Sequence, residues 1–161
     1  MMVQSEFLRC LEHEAEYSTA LISEIKEWFE ALESRGFQVG SLKDGLKITA
    51  KISYDEDHPF TCLHMTSKGG ILTGGLVEYF FFERAGINEE QFRFLMNTLA
   101  QVGTDVRAKF SRSEQEHATP VRVDFKVRAR PAILKDFSGN FDQLVAALVE
   151  IRDFLEHAKA S

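Results

Sequence analysis

Between Ile71 and Phe82 the chain is apolar on both parities. Ile71, Val77, Tyr79 and Phe81 fall on one side, and Leu72, Leu76, Phe80 and Phe82 on the other. Read as a strand, the segment spans about 40 Å at ~3.3 Å per residue. A sheet with helices on one face only is expected to alternate apolar and polar residues, and this segment does not. Gly74-Gly75 predicts a bend or bulge within it. Burying a Phe contributes about 1.5–3 kcal/mol, and leaving several exposed invites aggregation. Something must therefore cover both faces of the segment. The rest of the chain offers three modest helices, so the expectation is that a second subunit or a partner supplies the cover.

The remaining elements follow from periodicity. From Ser18 to Arg35, the residues Leu21, Ile25, Trp28, Phe29 and Leu32 form one stripe at the helical period, opposite Glu27, Glu30 and Glu33. Phe7, Cys10 and Leu11 would extend the stripe upstream. Glu14 and Ser18 would interrupt it, so a break is expected near residues 12–18. Gly36 suits the left-handed position that closes a helix. Leu46, Ile48, Ala50, Ile52 and Tyr54 alternate with polar residues as a strand, and Asp55 to Pro59 make a turn. A second strand runs from about Phe60 to Ser67, with a hairpin signal at Lys68-Gly69-Gly70.

Asn88 and Gln91 form a capping box for a middle helix, with Ile87 and Phe92 as its hydrophobic staple. Its stripe is Phe92, Leu95, Met96 and Leu99, and Phe94 points nearly opposite. Val102–Ser111 and Pro120–Arg130 read as the fourth and fifth strands. A turn region, Pro131 to Gly139, precedes a last helix from about Asn140, striped by Leu144, Leu148, Ile151 and Leu155 with Ala147 and Phe154 flanking. The expected order is α-β-β-β-α-β-β-α. This is an α+β fold with a five-stranded antiparallel sheet in two layers with helices. Residues 1–17 read as an N-terminal extension or first helical piece, and residues 18–158 as a single domain.

Charge is unevenly spread. The formal net charge is −6, yet residues 102–136 hold eight bases against five acids, while residues 1–45 hold four bases against nine acids. Arg107, Lys109, Arg122, Lys126 and Arg128, with Arg130 close by, are expected on one strand face as a basic docking surface. Two readings stay open there: an ordinary solvated face, tempered by Asp105 and Asp124, or a dock for an acidic partner. Polyanion binding ranks third, because no aromatics are interleaved for base stacking. Two cysteines in no CxxC pattern, and no basic or apolar leader, point to the cytoplasm. No apolar stretch approaches the ~18 residues of a membrane span.

Motifs for chemistry are sparse. His13-Glu14 lacks the second His of a zincin motif, and Gly70 and Gly75 lack the Lys and Ser/Thr of a phosphate loop. No catalytic residue, metal site or cofactor is assigned. The alternative reading is a small-ligand or weakly enzymatic pocket using Cys62, His64 and the Asp55–His58 turn. Cys62 and His64 stand two apart, which on a regular strand points both the same way.

The element order, size and acidity over Ser18 to His157 resemble the type III secretion chaperone-like superfamily, which includes class I effector chaperones and YbjN-type bacterial proteins. The resemblance implies a homodimeric α+β domain that binds a polypeptide without catalysis. It carries no site residues across. The combined expectation is a non-enzymatic, cytoplasmic, protein-binding homodimer, chaperone-like or adaptor in kind. Leu76, Phe80, Phe82 and Phe94 are its dimer or partner surface.

Overall fold

The computed structural model describes residues 1–53, 55–73, 85–112 and 118–158, with backbone alone at 110–112 and 118–122. Leu76, Tyr79, Phe80, Phe82 and most of the doubly apolar segment lie outside the described residues.

The expected break in the first helical region is present. Helix α1 is Gln4–His13 and α2 is Thr19–Ser34. Glu16 takes a left-handed φ of 58° between them. Ser18 caps α2, its hydroxyl accepting from the Leu21 N–H at 3.2 Å. Phe7 and Leu11 are fully buried in the same core as Ile25, Trp28, Phe29 and Leu32, so the apolar stripe continues after the chain re-aims. Gly36, at φ 89°, ends α2 with its N–H donating to Glu33 O at 3.1 Å.

The sheet differs from the single five-stranded one expected. Seven strands form two antiparallel sheets among the described residues. Four of them, β1 (Phe37–Leu42), β2 (Gly45–Ala50), β3 (Phe60–Thr66) and β4 (Ile71–Leu72), make one sheet in sequence order. The other three, β5 (Asp105–Arg112), β6 (Ala118–Val127) and β7 (Arg130–Pro131), make the second. β1 was absent from the periodicity reading because Gly40 and Ser41 dilute its alternation.

The fifth predicted strand, read straight through to Arg130, instead folds back at Arg128-Ala129. Both residues have left-handed φ (54° and 63°), the backbone of a two-residue hairpin turn. The segment after it was expected to be a turn, but its start joins the sheets. Ala132 N donates to Phe125 O on one side, Ile71 N donates to Ala132 O on the other, and Leu134 N donates to Gly69 O. An isolated antiparallel bridge, Gly70 with Ile133, lies between them.

One register irregularity matters for the site. β2 pairs Ile48 with Leu63 but Thr49 with Thr61, leaving Cys62 as the extra residue of a bulge. Leu46, Ile48, Ala50, Phe60, Leu63, Met65 and Ile71 all turn to the core, whereas Lys47, His64 and Leu72 share the other face.

The middle helix, α3 (Glu89–Ala100), has the capping box read from sequence: Asn88 Oδ1 accepts from Gln91 N, and Gln91 Oε1 accepts from Asn88 N, both at 2.9 Å. Phe92, Leu95, Met96 and Leu99 are buried. The last helix, α4 (Phe141–Ala158), buries Leu144, Leu148, Ile151 and Leu155 against α2 and α3.

Three polar ties fix α4 in place. Glu24 of α2 accepts from the Gly139 N–H and the Ser138 hydroxyl. Arg152 donates to Arg35 O, at the end of α2, and lies 4.7 Å over the Phe37 ring. Glu156 accepts from the Ser53 N–H at 3.0 and 3.2 Å. The helix is thereby tied to the rest of the fold just before its start, past its middle and near its end.

Candidate functional site

α3 and α4 touch along one side and diverge on the other, leaving an open groove of about 690 Å³. Its centre is a pair of aromatic rings. Phe94, 44% exposed, leaves the buried stripe of α3 as the sequence predicts and stacks on Phe154 of α4, centroids 5.0 Å apart and planes 29° apart. Val149, Ala146 and Ala158 complete an apolar lining. Polar side chains share the lining: Gln91 from α3, and Glu150, Asp153 and His157 from α4.

Sequence reasoning found Phe94 but not its partners. The missed signal was a second stripe on α4, with Ala146, Val149, Glu150, Asp153 and His157 at helical spacing beside the core stripe. Beside the groove, Arg93 is held by Glu89 at 2.8 Å, and Arg152 pairs with Asp153 at 3.6 Å.

The basic strand surface is arranged differently. Cross-strand register puts Asp105 opposite Lys126, Arg107 opposite Asp124 and Lys109 opposite Arg122. Arg107 Nε donates to Asp105 Oδ1 at 3.1 Å. Arg107, Lys109 and Lys126 share a face with Asp105 and Asp124, and the Arg122 side chain lies outside the described residues. The other two expected members are placed elsewhere. Arg128 stands in the hairpin turn. Arg130, in register with Val127, makes a two-pronged ion pair with Asp136.

Burial pushes the Asp136 carboxyl up. The hydrogen bonds from Arg130 and from the Ile133 N–H, with the charges of Arg130 and Arg128, outweigh it and hold the pKa below the ordinary aspartate range. On the opposite face of these strands, Phe125 packs in the core against Phe137.

The bulge separates the two members of the alternative pocket. Cys62 is buried with its thiol pushed up to about 12 by burial, a shift that nearby Arg152 only partly opposes. His64 lies on the other face, in register with Lys47 and with the half-exposed Leu72. A thiol so shifted is protonated at neutral pH and is a poor nucleophile. In the Asp55–His58 turn, the His58 ring meets the Asp55 carboxylate at 2.8 Å with its side chain mostly exposed. Among the described residues, no three His, Cys, Asp or Glu side chains gather as a metal cage, and no helix is long and apolar enough to cross a membrane.

No family model, curated protein or solved structure matches this chain.

Proposed function

We propose that this chain is a non-enzymatic protein-binding domain, chaperone-like or adaptor in kind, that works as a homodimer and receives an apolar segment of another polypeptide between α3 and α4. The supporting observation is the Phe94–Phe154 stack, in which exposed Phe94 lies in an open, mainly apolar groove against Phe154, itself partly buried at the edge of the core. Aromatic anchors flanked by polar margins are the usual composition of the energetic centre of a protein interface.

The test places a photo-reactive benzoyl-phenylalanine at position 94, or at exposed Lys51 as a control, in cells of the source organism. A polypeptide adduct formed from position 94 and not from 51 is expected; equal yields from both, or none, overturn the reading. Sedimentation equilibrium at micromolar concentration is expected to give twice the 18.3 kDa chain mass. A single-chain mass removes the homodimer.

A further inference from the structure

We infer that the α3–α4 groove is shaped and charged for a short amphipathic helix of a partner polypeptide whose apolar stripe is flanked by lysine or arginine. This rests on the protein-binding reading and adds the chemistry of the occupant.

The first argument is backbone hydrogen bonding. Phe94, Phe154, Val149 and Ala146 offer an extended chain neither donors nor acceptors. Each main-chain group desolvated there without a partner costs about 1–3 kcal/mol. A helix satisfies its own backbone and presents only side chains, the mode in which helices fill hydrophobic grooves. Two helices in contact also offer the ridges and furrows into which a third helix packs.

The second argument is charge. Glu150 and Asp153 line the groove, and exposed Glu90 stands beside Gln91 at its α3 margin. Arg93 is held by Glu89, and the Arg152 guanidinium is shared between Arg35 O and Asp153. The imidazole in the lining, His157, has its Nδ1 2.7 Å from Asp153 O, leaving Glu150 and Glu90 as the carboxylates that set the sign of the charge. The margin is therefore acidic and complements a basic flank. The same charges disfavour a second copy of this groove as the occupant, because Glu150 and Asp153 of each would face those of the other. On this reading a homodimer seam, if formed, does not use this groove.

The probe is a synthetic amphipathic peptide with leucine at every third or fourth position and lysine on the flanks. At about 18 residues it covers about 27 Å, the length of α4. Its control replaces each lysine with glutamate. Fluorescence anisotropy with the full chain is expected to show the lysine peptide binding at least about tenfold tighter at low salt, the preference shrinking as salt screens the margin. The exposed double substitution Glu150→Lys with Asp153→Lys is expected to invert the preference, and Phe94→Ser to weaken both peptides. Equal affinities, no binding, or a preference untouched by the double substitution overturn the inference. So does a halved sedimentation mass for Phe94→Ser, which makes the groove the seam between copies. Failure of the peptides alongside a retained adduct from position 94 removes the helix and leaves the protein-binding reading standing. Loss of the adduct removes that reading itself.

Discussion

The groove between α3 and α4, of which sequence patterning singled out Phe94, and the outer face of β5 and β6, expected as a basic dock, solve opposite problems. The strand face carries its own counter-ions: Arg107 bonds Asp105, and Asp124 and Lys126 stand opposite charges of the other sign. The groove stacks two aromatic rings against each other and leaves Phe94 open to water, with carboxylates in its lining. A surface that neutralises itself gains little from a partner. An apolar one with an excess of carboxylates in its lining gains both burial and charge pairing. The difference shows that a count of basic residues predicts an open charged surface less well than an aromatic residue out of step with its helix predicts an exposed apolar one.

The largest effect that sharpens this contrast compares two residues on one helix. Phe92→Ala, in the core, is expected to cost about 3–5 kcal/mol in urea unfolding. Phe94→Ala, losing mainly its stack on Phe154, is expected to cost about 1 kcal/mol. Comparable losses would mean that Phe94 serves the fold and not a partner.

Next comes the Arg130–Asp136 pair, which removes one cation from the supposed docking face. Asp136→Ala leaves the Ile133 N–H without its acceptor and is expected to cost about 1 kcal/mol. Because the folded pKa of Asp136 lies below its ordinary value, the stabilisation is whole above the ordinary aspartate range and is lost as pH falls through the lowered value. The urea midpoint of Asp136→Asn is therefore expected to fall less on acidification than that of the parent chain. An equal fall would show that the pair is not formed in solution.

The smallest effects belong to the strand face. Arg107→Gln and Lys126→Gln are each expected to shift stability by less than about 0.5 kcal/mol. Single-stranded DNA affinity at physiological salt is expected to be weak and unchanged by Arg128→Ala. A clear loss would restore the polyanion reading.

Alkylation tests the other sequence-based site. Iodoacetamide at mildly alkaline pH is expected to modify Cys10 well before Cys62, whose thiol stays protonated. Equal rates would put Cys62 back among candidate nucleophiles.

Much of the helical framework was legible in the sequence because its signals are local. The Asn88–Gln91 capping box, the break before Ser18 and the stripe of α4 each depend on residues a few positions apart. The strands were less legible. The bulge at Cys62 comes from pairing with β2, so a period of two carried the prediction for His64 onto the wrong face. The Arg128-Ala129 turn holds neither Gly nor Asn, the residues by which a left-handed hairpin turn is usually recognised. Phe94 was legible because it breaks a local pattern; its partner Phe154 was not, because their contact joins two distant helices.

The bridge between Gly70 and Ile133 has a consequence for how the molecule comes off the ribosome. The outer edge of the first sheet, at Ile71, receives its closing hydrogen bonds from chain made roughly sixty residues later. Closing a loop of that length is among the slower steps in folding. Until Ala132 has emerged, the nascent protein holds one half of its β-structure with an unfinished border.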